Sequence, residues 1–193
     1  YIDIRMTSGY YGILATDKSI AKQSYHLFGY DNNGHKIVDG VKINIDSPLK
    51  VIPIKIIQKD YNTFYIFIKY GTSSDEDQGL YMVICKSNGD LIGDKILVTQ
   101  DFGDDKWRWV FSDYTTLTNG NLCIIFWLAQ DDYLLRLYGV SVDLTDDSVR
   151  SEEIDGTRVD GGVQFLYNIT NTRIEKLSNG GFVVGLTSAK WPK

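Results

Sequence analysis

The sequence predicts an all-β chain of tandem four-stranded antiparallel sheets, and three observations carry that prediction. Leu117-Thr-Asn-Gly120 is followed by the apolar run Leu122 to Leu128, and sixty residues on Leu177-Ser-Asn-Gly180 is followed by Phe182-Val-Val-Gly-Leu186. A strand, an Asn-Gly turn and a second strand are used twice, which is hairpin grammar inside a repeat. A second motif, Tyr25 to Tyr30, Asn33-Gly34, Ile37 to Ile43, recurs as Tyr81 to Cys85, Asn88-Gly89, Ile92 to Val98, with the Asn-Gly pairs 55 residues apart. Finally, the apolar runs are short, rich in Ile, Val, Tyr and Phe, and stopped every few residues by Asn-Gly, Asp-Gly or acidic clusters. That is a strand pattern rather than a helical one.

Laid on one another, the copies give a unit of four strands, A to D, with a period of about 55 to 60 residues. Strand A is read at Val51 to Ile57, Trp109 to Leu117 and Tyr167 to Leu177, and strand B around Ile13, Ile66, Ile124 and Val183. Strand C is read around Phe28, Val83 and Val140, and strand D around Val41, Ile96 and Ile154, the last reached through a longer turn at Asp146-Asp147. On this reading the chain opens in a B strand and ends just after one. Its units are approximately 1–47, 48–100, 101–160 and a partial 161–193, in a single repeat array. Pro53 inside strand A predicts an edge position or a bulge, because proline cannot donate to a sheet ladder. Asp17 to Ser24 is read as loop.

Composition bounds the functional classes. With 43% hydrophobic residues, including 13 Tyr, 8 Phe and 4 Trp, the chain has material for a core, and its 23% charged residues are too ordinary for disorder. A net charge of −5, from 25 acidic against 20 basic residues, argues against nucleic acid and anionic membrane surfaces, both of which require a surplus of Lys and Arg. No apolar run approaches the roughly 20 residues that span a bilayer, so no membrane insertion is expected. The first residue is Tyr, consistent with a removed leader or with a piece of something longer. Asn168-Ile-Thr170 is an N-glycosylation acceptor, and with it the reading leans towards an extracellular or cell-surface location. Cys85 and Cys123 are read as buried free thiols rather than a disulfide framework.

Few residues carry chemistry. His26 and His35 flank a predicted turn without ligands at zinc spacing, and read as one strand residue and one turn residue. Gly-x-Ser-x-Gly, Gly-x-Gly-x-x-Gly and phosphate-loop motifs are absent from the sequence. The acidic clusters Asp75-Glu76-Asp77, Asp101 with Asp104-Asp105, Asp131-Asp132 and Asp143 with Asp146-Asp147 lack the alternation of a calcium loop and read as turn chemistry. Glycoside hydrolysis would need two carboxylates about 5 to 10 Å apart. No catalytic residue, metal site or cofactor is expected. Aromatic residues give the candidate ligand site: Trp107, Arg108 and Trp109, which follow an acidic connection, together with Tyr133. In a strand, Trp107 and Trp109 project one way and Arg108 the other. Trp and Tyr rings stack on the apolar faces of sugars while neighbouring polar groups bond hydroxyls. Trp127, in the most apolar strand, reads as core, and Trp109 leans the same way.

The pattern Leu-x-Asn-Gly followed by Phe-Val-Val or Leu-Cys-Ile-Ile, then a Tyr-containing strand, then Asn-Gly and Ile-x-Gly-Asp, resembles the degenerate blade repeats of large β-propeller and surface-repeat proteins. The resemblance covers nearly the whole chain, without the sialidase Asp-box or the Trp-Asp ending of WD repeats. It implies a partial or assembled β-propeller that presents ligands or partners rather than performing a reaction. Three A, four B, three C and three D strands make about three and a quarter blades, below the roughly four to eight of a closed propeller. The function expected is therefore a non-catalytic surface module that binds glycans or glycoproteins. The alternatives are a structural protein whose terminal A and B strands dock on the opening B strand of a further copy, and a propeller-fold glycoside hydrolase.

Overall fold

The computed structural model describes residues 2–7, 10–17, 24–31, 33–45, 50–71, 79–100, 107–130, 133–153 and 167–190, and near several strand ends only their backbone. These residues form fourteen strands in four antiparallel sheets. The first sheet holds β1 (Ile2–Thr7), β2 (Tyr10–Asp17), β3 (Ser24–Asp31) and β4 (Lys36–Ile43), and the second β5 (Lys50–Gln58), β6 (Thr63–Gly71), β7 (Gly79–Lys86) and β8 (Leu91–Gln100). The third holds β9 (Trp107–Thr116), β10 (Leu122–Gln130), β11 (Tyr133–Val142) and β12 (Val149–Glu153), and the fourth β13 (Tyr167–Lys176) and β14 (Phe182–Lys190). Within each sheet the strands pair in chain order. The chain divides into two compact units, Tyr1–Phe102 and Gly103–Lys193.

The all-β class and the four-stranded repeat stand, with two corrections. The chain opens in an A strand, not a B strand: β1 pairs with β2 from Ile2 opposite Ala15 to Thr7 opposite Tyr10. Its sequence, Ile-Asp-Ile-Arg-Met-Thr, alternates apolar and polar residues too briefly to stand out without a preceding turn. Because β2 is flanked by β1 and β3, the opening B strand offers no free edge to a docking copy. The third D strand is β12, which ends at Glu153, so Ile154 lies beyond it and outside the described residues.

Five of the turns follow from local chemistry. In residues 31–35, 86–90, 117–121 and 177–181 the first residue's N–H donates to the fifth residue's carbonyl, and the glycine at the fourth position donates to the first residue's carbonyl. Gly34, Gly89, Gly120 and Gly180 all have positive φ, which a residue without Cβ adopts at little cost. Asn88, Asn119 and Asn179 each accept the N–H two residues on, satisfying a donor that the ladder leaves open. The turn at 143–148 is one residue longer and places Asp147 at φ 63°. Asp143 there accepts both the hydroxyl and the N–H of Thr145, and those bonds hold its carboxyl below the usual carboxylate range.

Packing follows from the apolar runs. In β7 every residue from Gly79 to Cys85 is buried, and in β10 the same holds from Leu122 to Trp127, so both faces of these middle strands are covered. Outer strand β8 is mostly exposed along its length. In the first unit Tyr25, Leu27 and Ile43 of the first sheet pack on Val51, Ile56, Ile66 and Val83 of the second. The Tyr25 hydroxyl donates to the Val51 carbonyl, tying the two sheets. Each fully buried side chain of this size contributes ~1.5–3 kcal/mol of apolar burial. At the turn end of the same unit the Asn44 N–H donates to the Gly89 carbonyl at 3.2 Å, and the Ser87 N–H donates to Asn62 at 2.8 Å. In the second unit Cys123, Ile125, Trp127 and Leu137 pack on Ile174 of β13. The Trp127 indole N–H donates to Thr172 Oγ1 at 3.0 Å, and both side chains are buried.

The first strand of the second, third and fourth sheets carries the same irregularity. One extra residue is inserted at Ile54, Ser112 and Thr170, each 58 positions after the last. The first lies directly after Pro53, on an edge strand, where proline's missing N–H is tolerated.

Three outcomes test this packing. A Cβ on Gly89 would lie 2.1 Å from the Lys42 carbonyl oxygen at φ +88°, so Gly89→Ala should cost at least about 2 kcal/mol in denaturant unfolding. Thr172→Val keeps the volume but strands a buried indole N–H, and should cost ~1–3 kcal/mol. Cys85 and Cys123 are free and buried, and desolvation pushes their thiols up to about 12 and about 11, with Asp90 adding to the first. Both should resist a thiol reagent at pH 8 until the chain is unfolded. Because the folded thiols hold their protons above the ordinary value of 9.0, their contribution to stability is complete below that pH and declines as pH rises towards 11 to 12.

Candidate functional site at the loop end of the third sheet

An up-and-down sheet has two unlike ends here. A-to-B and C-to-D connections lie at one end and include the tight Asn-Gly turns at 33–34, 88–89, 119–120 and 179–180. B-to-C and D-to-A connections lie at the other, at 18–23, 72–78 and 131–132 and at 44–49, 101–106 and 154–166. Turns built on their own hydrogen bonds have little freedom to acquire a function, which leaves the connections at the other end as the place for one. The acidic clusters at Asp75-Glu76-Asp77, Asp101 with Asp104-Asp105, and Asp131-Asp132 all fall in connections of the second kind and lie outside the described residues. The Asp143, Asp146 and Asp147 cluster sits at the tight-turn end, where Asp143 and Asp146 bond the backbone of their own turn.

The strand register brings part of the expected ligand site together. Trp107 begins β9, Gln130 ends β10 and Tyr133 begins β11; Trp107 pairs with Gln130 and Gln130 with Tyr133, so the three form one row across three strands. One residue further in, Arg108 pairs with Ala129, and Ala129 with Leu134. In the next row Trp109 pairs with Leu128, and Leu128 with Arg136. Residues directly opposite share a face with Cβ atoms about 4.5–5.5 Å apart, and successive rows alternate faces. In register, Tyr133 thus shares the row of Trp107, while Arg108 and Trp109 fall in the next two rows. Gln130 stands between Trp107 and Tyr133 in their row, and sequence reasoning missed it. The available signal was the two-residue connection Asp131-Asp132, which makes Gln130 and Tyr133 partners in a hairpin.

Elsewhere the polar groups serve structure. Asp113 accepts the N–H of Tyr114 at 3.0 Å and of Ile174 at 3.3 Å, with Arg173 3.8 Å away, and thereby fastens β13 to β9. His26 Nδ1 contacts the Gly40 carbonyl at 2.9 Å, and His35 Nδ1 contacts the Asp31 carboxylate at 3.1 Å. Among the described residues no group of three or more His, Cys, Asp or Glu is placed to hold a metal ion. Asn168 of the glycosylation triplet lies within β13, paired with Ala189, rather than in a loop.

Neither a protein-family model nor a curated protein matches the sequence. The fold is similar to the crystal structure of an endo-arabinase from Bacteroides thetaiotaomicron VPI-5482, with a TM-score of 0.53 and 10% identity, over 96% of this chain and 68% of that one. The expectation of a non-catalytic protein is corrected by this likeness: it rested on the absence of catalytic motifs and on a resemblance to ligand-presenting propellers, and a protein sharing the fold along nearly the whole of this chain is named as an enzyme. At 10% identity the likeness establishes architecture, and the chain is accordingly an all-β protein of propeller-type four-stranded sheets.

Proposed function

We propose that this chain is part of a propeller-fold glycoside hydrolase acting on a polysaccharide. The observation that carries the reading is the likeness to an endo-arabinase over 96% of the chain. Trp107 and Tyr133, which register with the same residue, Gln130, support it, since Trp and Tyr rings suit the apolar faces of sugars. Hydrolysis of a glycosidic bond takes one carboxyl group as acid and a second as base or nucleophile. Asp104, Asp105, Asp131 and Asp132 are the carboxylates nearest in sequence to the aromatic row and are the first to test. Glycan is then the partner, as substrate, and a polymeric substrate favours a place outside the cell or on its surface.

Incubation with linear arabinan and a panel of other neutral polysaccharides should release new reducing ends. The corresponding Asp→Asn variants identify the acid and the base by rate losses of at least about 100-fold with the fold retained. Absence of reducing-end release from every polysaccharide would remove the reading.

A further inference from the structure

The fourth sheet has two strands where the other three have four, and among the described residues nothing pairs with the outer edge of β14. By chain order β14 is a B strand. β2, β6 and β10 hold the same place, and a C strand, β3, β7 or β11, lies antiparallel along the edge of each. The turns fix the alignment: the Leu177 N–H donates to the carbonyl of Gly181 as that of Leu117 does to Asn121 and that of Lys59 to Thr63. Phe182 and Val183 therefore stand where Leu122 and Cys123, and Phe64 and Tyr65, stand in the third and second sheets. Those four are at most 4% exposed, whereas Phe182 is 36% and Val183 50% exposed. Consecutive strand residues face opposite ways, so both faces of β14 are open at its start.

Composition separates β14 from the strands that end a sheet. Outer strands avoid further pairing by carrying charge or irregularity, or by being short. β4 carries Lys36, Asp39 and Lys42 with Gly40 at φ 63°, β8 carries Asp94 and Lys95 with Gly93 at φ 66°, and β12 has five residues, among them Arg150, Glu152 and Glu153. β14 runs Phe-Val-Val-Gly-Leu-Thr-Ser-Ala with no charge before Lys190, and the extra residue in its pairing lies on β13. The covered B strands read the same way: Asp17 ends β2, Lys69 is the one charge of β6, and β10 has none. β14 is thus composed as a strand paired on both edges.

The repeat also gives the chemistry of what fits. β3, β7 and β11 each hold a single Asp, Lys or Arg (Asp31, Lys86 and Arg136) and at least one tyrosine. We propose that the outer edge of β14 is a docking site for an extended segment of a partner polypeptide with this C-strand pattern, nearly uncharged and tyrosine-bearing, which adds antiparallel through main-chain hydrogen bonds. The inference stands apart from any hydrolase activity.

The test uses the whole chain and a fluorescently labelled synthetic peptide with the β11 sequence, Tyr133 to Val142, beside a scrambled peptide of the same composition. Anisotropy reads binding, amide hydrogen exchange reads where it occurs, and sedimentation reads the oligomeric state. The β11 peptide should bind at least about tenfold tighter than the scrambled one and slow exchange within Phe182–Lys190 at least about tenfold. Val183→Lys, a change at an exposed position, should leave the fold intact and weaken binding by about fivefold or more. Equal affinity for the two peptides, or protection confined to another strand, would overturn the site. So would a folded Val183→Lys chain that binds as tightly as the parent. A dimer whose β14 amides are already protected, and which the peptide does not dissociate, would assign the edge to a second copy and overturn the partner strand.

Discussion

Burial of two apolar faces per sheet is the constraint on which the rest of this structure depends. Strands β7 and β10 carry unbroken apolar runs, Leu80 to Cys85 and Leu122 to Ala129, so a single sheet of them would leave one greasy face in water. Stacking sheet on sheet resolves this, and within the first unit the contact is made by Tyr25, Leu27 and Ile43 against Val51, Ile56 and Ile66. A repeat of four strands is then a unit of stacking rather than a domain in its own right, which is why its members must recur.

The places where sheets meet also account for most of the polar structure. Tyr25 to Val51, Asn44 to Gly89, Trp127 to Thr172 and Asp113 to Ile174 each join one sheet to the next within its unit. A buried donor or acceptor costs free energy unless paired, so these bonds fix register between sheets that apolar contact alone would let slide. The bulges at Ile54, Ser112 and Thr170 belong to the same logic: an extra residue increases local twist in the strand that meets its neighbour. Asp113 follows one of them directly, and from there its carboxylate reaches the β13 backbone.

The two ends of each sheet differ in what they carry. One end of each sheet includes the tight Asn-Gly turns, whose Asn and Gly are used up in making the reversal. At the other end the register gathers Trp107, Gln130 and Tyr133 into a row. Of the acids read from the sequence as turn chemistry, Asp143 is held by its own turn, while Asp131 and Asp132 lie outside the described residues.

Hairpin turns, strand identities and the repeat period were legible in the sequence because each is a local property: Asn-Gly fixes a reversal, and an unbroken apolar run fixes a buried strand. Asn33-Gly34, Asn88-Gly89, Asn119-Gly120 and Asn179-Gly180 all turn where the sequence placed them, and Pro53 marked a true irregularity. The opening strand β1 was missed because six alternating residues carry little signal until a partner strand is beside them. Pairing across sheets, the bulges at Ser112 and Thr170 and the company of Trp107 were decided by tertiary structure alone. A residue's row depends on how its strand registers against a neighbour dozens of positions away, and one inserted residue anywhere along that strand moves every later side chain to the opposite face.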